Sequence, residues 1–255
     1  MLLTIDVGNT QIYFGILKNK KVTASFRRTS SGAVSADELG VFLLNALTAN
    51  GIDFKKIKRV AISSVVPEIT RSIIHSVKKY FNLNPFVIDK DTKTKLYFKG
   101  GLENLGADRI ADIEGAFYLE HNKNLIIIDF GTAITFDAVS KKGEYLGGVI
   151  CAGPMLSMKA LAGGTALLST VELKKPKQTA GLTTETQIQS GLVLGTIGLV
   201  KEICTRLKQE CFKKENAVII GTGGLGRLFE NENIFDFYEP NLILLGLSVL
   251  SEKNK

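Results

Sequence analysis

Tryptophan is absent from this 255-residue chain, histidine occurs twice and cysteine three times. Cys151, Cys204 and Cys211 form no C-x-x-C pair, so neither a disulfide framework nor a zinc site has a basis here. Cys204 and Cys211 lie seven residues apart, two helical turns, which predicts one shared buried helix face. No apolar run reaches the roughly eighteen residues of a membrane span. An apolar strand begins at once, with no charged leader, and the expected setting is a reducing cytoplasm. The P-loop pattern G-x-x-x-x-G-K-[ST] is also missing, which removes the commonest phosphate-binding scaffold.

Positive charge is present but scattered. The net +7 comes from short clusters such as Lys18/Lys20/Lys21, Lys55/Lys56/Lys58/Arg59 and Lys213/Lys214, spread over the whole length. Nucleic-acid binders gather charge on one face with aromatics between for stacking. Here the clusters sit at turns and element ends, so a solvated surface is expected, with no nucleic-acid partner and no membrane partner.

Apolar periodicity and turn residues predict a mixed α/β chain. Leu2 to Val7, Ile12 to Leu17 and Val22 to Arg28 read as three strands. A polar stretch from Thr29 to Ser35 leads to a helix from Ala36 to Asn50, with Ser35 as its cap. Strand Arg59 to Ser64, a helix from Pro67, strand Pro85 to Ile88 and a helix over Gly106 to Glu120 follow. Leu125 to Ala133 then repeats the opening pattern of apolar strand, Asp, apolar, Gly and polar turn, with Ile134 to Val139 as its second strand. Asp6 and Asp129 are 123 residues apart, about half the chain. A repeat this long implies two similar domains, read as 1–118 and 119–255, facing one another. A helix from Thr184 to Glu210, strand Ala217 to Ile220, a glycine turn and short closing elements complete the chain.

Four motifs carry chemistry. In Asp6-Val7-Gly8-Asn9-Thr10, Gly8 lets the backbone turn its N–H groups toward an anion, and Asp6 stands at a strand end where it can hold a cation. Alone, the same residues also make an ordinary polar hairpin turn. Asp129-Phe130-Gly131-Thr132-Ala133 offers the parts again, and two such hairpins can grip a nucleoside triphosphate from both sides. That pairing is the signature of the actin-like (ribonuclease H-like) ATPase and sugar-kinase architecture, with a nucleotide cleft between its domains. Gly221 to Gly226 matches G-x-G-x-x-G, but only 29 residues follow, too few for a dinucleotide-binding domain; these glycines are expected to approach the nucleoside. In Gly106-Ala107-Asp108-Arg109, an acid and an arginine open a helix. They read either as a first-turn pair or as a general base beside an anion-binding partner.

These motifs, with Ser63 to Pro67, Gly147 to Gly153, Thr165-Ala166 and Ile188 to Gly191, occur in the order found in type III pantothenate kinases, and the chain resembles that family over essentially its whole length. The resemblance implies transfer of phosphate from ATP to pantothenate, the first step of coenzyme A synthesis. It implies that Asp6, Val7, Gly8, Asn9, Thr10, Gln11, Ile12 and Tyr13 form the first phosphate loop and that Thr132 contacts ATP. Asp129 would bind a monovalent cation, potassium or ammonium, and magnesium would accompany ATP. Gly106, Ala107, Asp108 and Arg109 would line the pantothenate site, with Asp108 as proton acceptor, and Thr184 would contact pantothenate. A homodimer whose partner completes that site is implied as well.

The chain departs from the family pattern in three places. Ala152 stands where proline is usual, Gly164 where arginine precedes Thr-Ala, and Lys99 where an aromatic substrate contact lies seven residues before the Gly106 motif. Tyr97 is expected to take that contact. Two other readings share the fold: a binding or regulatory protein that has lost catalysis, and a filament-forming ATPase. The retention of Asp108 beside Asp6 and Asp129 argues against the first, and the lean length against the second.

Overall fold

The computed structural model describes residues 1–30, 34–213 and 215–255; positions 31–33 of the expected polar stretch, and Lys214, lie outside the described residues. The chain divides into two units, one comprising Met1–Leu119 with Asn241–Lys255 and the other Glu120–Pro240.

Alternation builds the first unit. Strands β1 (Leu2–Val7), β2 (Gln11–Lys18), β3 (Lys21–Thr29), β4 (Arg59–Ser64) and β5 (Phe86–Val87) make a sheet in the order β3-β2-β1-β4-β5. Successive strand residues point to opposite faces. Leu3, Ile5 and Val7 therefore share a core with Leu39, Leu43 and Leu47 of α1 (Ala36–Ala49) and with Ile69, Ile73 and Val77 of α2 (Pro67–Phe81). A capping box starts α1: the Glu38 N–H donates to Ser35 Oγ at 3.2 Å and the Ser35 N–H to Glu38 Oε2 at 2.8 Å. Such a cap contributes about 1 kcal/mol. Pro67 opens α2, and Asn82, in the left-handed region at φ +52°, closes it.

The opposite face of β1 and β2 carries Thr4 and Gly15, and here Leu244 of α6 (Leu242–Lys253) packs. A Cβ at Gly15 would lie 2.5 Å from Leu244 Cδ1. The same helix lies against α3 (Ala107–Leu119), so closely that a Cβ at Gly246 would stand 1.7 Å from the Ala111 carbonyl oxygen. The expected division was at 118/119; Asn241–Lys255 groups with the first unit. The run Leu242 to Leu250 is buried except at half-buried Ile243, and it needs apolar partners on several sides. Short strand β6 (Tyr97–Phe98) precedes α3.

The second unit repeats the first arrangement. Strand β7 (Asn124–Phe130) pairs antiparallel with β8 (Ala133–Val139) and parallel with β10 (Ala217–Thr222), as β1 pairs with β2 and β4. Its strand order is β11-β10-β7-β8-β9, with β9 at Glu144–Ala152 and β11 at Phe237–Tyr238. Ile126, Ile128 and Phe130 pack on Val193, Ile197 and Val200 of α5 (Thr184–Phe212). Helix α4 (Pro154–Gly164) follows β9. The glycine turn runs into a short 3₁₀ turn, Gly226–Phe229, and the Tyr238 ring fills the space beside Gly226.

Cys204 and Cys211 both pack on this core from α5, as their spacing predicts. Burial pushes the Cys204 thiol up to about 12. At pH 8 it is a poor nucleophile, so iodoacetamide should label it only after unfolding, and fast labelling of the native protein, read by mass spectrometry, would contradict this packing.

Candidate functional site

The Asp6 turn and the Gly106 motif lie near one end of the first unit's sheet. Asp6 pairs with Tyr13 across the hairpin and with Ser63 on the parallel side. The turn closes through a Gly8 N–H donated to the Gln11 carbonyl at 3.0 Å, leaving Asn9, Thr10 and Gln11 exposed. Val7, Ile12 and Tyr13 are buried, so their side chains serve the core and offer a ligand only backbone. The Tyr13 hydroxyl donates to Asn241 Oδ1 at 2.5 Å, and the Arg27 guanidinium covers its ring at 3.6 Å.

From this turn a short path leads to the Gly106 motif. The Val65 N–H donates to the Val7 carbonyl at 3.1 Å, continuing β4 past Ser64. A Cβ on Gly106 would lie 3.9 Å from Val65 Cγ1, so the start of α3 stands beside the end of β4. Parallel strands thus deliver two loops to the same sheet end, where ligands of α/β proteins bind. Asp108 occupies the first turn of α3, and its Oδ1 accepts from the Arg109 N–H at 2.8 Å. Gly106 makes room for that conformation, since a Cβ there would sit 2.5 Å from the same oxygen. Gly106, Ala107, Asp108 and Arg109 are all half-buried. Tyr97, in contrast, is 61% exposed.

The second unit assembles a matching turn from three stretches. Asp129 pairs with Thr135 on β8 and with Thr222 on β10, the counterparts of Tyr13 and Ser63. Gly223, at φ +87°, passes so close that a Cβ would meet Asp129 Oδ1 at 2.1 Å and the Phe130 nitrogen at 2.6 Å. Only glycine fits both that conformation and that gap. The Leu225 N–H donates to the Phe130 carbonyl at 3.1 Å, and the Gly153 N–H to the Thr132 carbonyl at 3.0 Å. Thr132 itself is exposed. Thr184 lies at the exposed start of α5, which Thr183 caps through the Thr186 N–H.

Sequence reasoning assigned no role to Val65 or Gly153, although each lies in a stretch it singled out, and it expected Gly223, with the other glycines of its turn, to approach the nucleoside. Their function is close backbone approach, which a sequence signals only as glycine or as a small apolar run.

Among the described residues, no group of three or more His, Cys, Asp or Glu could hold a metal ion. A transition metal with several side-chain ligands therefore does not suit this turn. A hard cation held by one carboxylate and other oxygens does. Asp129, packed closely against Gly223 and bordered by Gly131, whose Cβ would lie 3.2 Å from Asp129 Oδ2, is the carboxylate of this turn, and a carboxylate oxygen is the donor type a hard cation takes.

Comparison with known proteins adds the following. The sequence profile of the family described as type III pantothenate kinase matches residues 2–206. The chain is 50% identical to the type III pantothenate kinase of Elusimicrobium minutum (strain Pei191), covering 100% of this chain and 99% of that protein. It is 40% identical to that of Legionella pneumophila (strain Corby), again over 100% and 99% of the two chains. Among solved structures, a candidate 2-dehydro-3-deoxygalactonokinase from Sinorhizobium meliloti aligns with TM-score 0.58 at 12% identity, covering 99% of this chain and 96% of that one. The activator of the 2-hydroxyisocaproyl-CoA dehydratase from Clostridium difficile aligns with TM-score 0.51 at 16% identity, over 99% and 95%. At such identities these likenesses establish the fold alone, the actin-like ATPase and sugar-kinase fold expected from the doubled hairpin.

Proposed function

The chain belongs to the type III pantothenate kinase family, and from that premise we propose how its own residues divide the work. The protein is a kinase that uses ATP to phosphorylate the alcohol of pantothenate in coenzyme A biosynthesis. The observation that carries the division is the path from Val7 through Val65 to Gly106, which sets a phosphate-type turn and an acid-bearing helix start at one sheet end.

Asp6 to Tyr13 serve as the first phosphate loop, through the backbone of Gly8 and the exposed side chains of Asn9 and Thr10. Thr132 contacts ATP from its own turn. Asp108 accepts the proton of the pantothenate hydroxyl as the oxygen attacks the γ-phosphorus, whose bond to the β,γ-bridging oxygen breaks to release ADP. Its Oδ1 is held by the Arg109 N–H, and we assign Oδ2 to the substrate. Arg109 anchors a polar group of pantothenate, with Gly106, Ala107 and Tyr97 lining its site, and Thr184 is assigned a contact with pantothenate as well. Asp129 would hold potassium or ammonium, and Asp6 would lie on the side of the magnesium that accompanies ATP, since that ion is usually held by one or two carboxylates with substrate phosphates; when bound, these ions would supply positive charge against the phosphoryl oxygens.

Two wider assignments accompany this reading. Leu146 and Ile150 of β9 and Met155, Leu156 and Leu161 of α4 are exposed apolar side chains, which supports a homodimer, to be checked by light scattering. Among the described residues no helix is long and apolar enough to cross a membrane, and a cytoplasmic location is in keeping with that.

A coupled assay of ADP release tests the function. ADP should form only when pantothenate is present, and faster in potassium than in sodium. Turnover without pantothenate would overturn the substrate, while pantothenate-dependent turnover at equal rates in both salts would remove only the cation from Asp129.

A further inference from the structure

Two residues at the C-terminal end of the chain grip the segment that leads into Tyr97. Asn254 meets the backbone of Lys93 twice: its Oδ1 accepts from the Lys93 N–H at 2.8 Å, and its Nδ2 donates to the Lys93 carbonyl at 3.0 Å. Both polar groups of one peptide position are thereby occupied by a residue 161 positions away. Nδ2 also donates to the Leu250 carbonyl at 2.9 Å, which fixes the amide against the end of α6.

One residue further along, the grip is ionic. Lys253 Nζ lies 2.7 Å from Glu114 Oε2, and Thr94 Oγ1 donates to Glu114 Oε1. The Glu114 side chain is only 2% exposed, so its charge depends on these partners. Thr94 Oγ1 in turn accepts from the Leu96 N–H at 2.9 Å. The stretch Lys93 to Leu96 is thus tied to α3 through Glu114 and to α6 through Lys253 and Asn254. It runs directly into Tyr97, then through Gly100 and Gly101, both at positive φ, to the Gly106 motif.

We propose that Asn254, Lys253 and Glu114 are positioning residues for pantothenate: they fix the course of 93–96 so that Tyr97 enters its site from a set direction. This rests on the placement of Tyr97 in the pantothenate pocket argued above. None of the three touches the reacting atoms. Their effect is on substrate capture, because an untied segment must be ordered each time pantothenate binds.

The test compares Asn254→Ala and Asn254→Asp with the parent enzyme, and uses Tyr97→Ala as the control for the site. Asn254 is near the end of α6 and its bonds to Lys93 are solvent-exposed, so these variants should fold, which thermal melting checks. Asn254→Ala should raise the pantothenate KM about three- to tenfold, the worth of one ordinary hydrogen bond or somewhat more, with kcat and the ATP KM unchanged within about twofold. Asn254→Asp, which keeps the acceptor and loses the donor, should fall between. Amide exchange over 90–98 should quicken in Asn254→Ala while α1 and α2 exchange as before. If exchange there is unchanged, or if it quickens and the pantothenate KM does not move although Tyr97→Ala raises it, the positioning role is overturned. If Tyr97→Ala itself leaves the pantothenate KM unchanged, the placement of Tyr97 has failed, and the positioning role fails with it.

Discussion

Replacing Asp108 by asparagine should lower kcat about 10²–10⁴-fold while the KM values for ATP and pantothenate stay within about threefold. The variant isolates one property. Asparagine keeps the shape of the side chain, the acceptor that meets the Arg109 N–H at 2.8 Å, and the fit beside Gly106. What it loses is the ability to take a proton at neutral pH. Folding and substrate binding should therefore survive, and the loss should appear in the chemical step alone. Its size also reports on the transition state. Phosphoryl transfer runs through a loose transition state in which the acceptor hydroxyl loses its proton late, so a loss near 10² would fit a late base and one near 10⁴ an early one. A kcat within about threefold of the parent would remove Asp108 from the chemistry, leaving its carboxylate as a first-turn partner for the helix.

Much of this architecture is legible in the sequence for one reason: it is written twice. Leu2 to Thr10 and Leu125 to Ala133 each carry an apolar strand broken by one Asp and closed by a glycine turn, and the two strands do occupy the same place in their sheets, antiparallel to the next strand and parallel to a later one. Alternation in β1 and β2 and the caps of α1 and α2 are local signals, and local signals survive without the fold. The closing segment was not legible. Leu242 to Leu250 reads Leu-Ile-Leu-Leu-Gly-Leu-Ser-Val-Leu, nearly all apolar, so it has no period to separate helix from strand. Its partners, Thr4, Gly15 and Ala111, lie more than a hundred residues earlier, and no local pattern records such pairings. The same holds for Lys253 with Glu114 and Asn254 with Lys93. In the site, the acids stood out because a charge at a strand end or helix start conflicts with burial. Val65, which contributes only backbone and a methyl, gave no such conflict.

Gly246→Ala should destabilise the protein by about 3 kcal/mol and lower kcat about 100-fold in the fraction that remains folded. The new Cβ would lie 1.7 Å from the Ala111 oxygen, 2.6 Å from the Ala111 carbonyl carbon and 3.0 Å from the Gly115 nitrogen, all backbone atoms. No rotamer change relieves a clash with backbone, so α6 must retreat from α3 by roughly 1 Å or more, opening voids along both helices. Alanine's better helix propensity returns only about 1 kcal/mol. Gly198→Ala on α5, where a Cβ meets nothing within 4 Å, isolates that gain and should raise stability by about 1 kcal/mol. In a chain of this size, a 3 kcal/mol loss corresponds to a melting temperature lower by about 6–12 °C. The catalytic loss follows from position. Ala111 is one turn along α3 from Asp108, so a helix displaced at Ala111 carries the carboxylate with it, and misplacement by about 1 Å is enough for a 100-fold loss. Gly246→Ala and Asp108→Asn should therefore both depress kcat, but only Gly246→Ala should shift the melting curve. A Gly246→Ala protein that melts with the parent would show that α3 and α6 do not cross at this glycine, and the link from the C-terminal helix to the acid at the head of α3 would be lost with it.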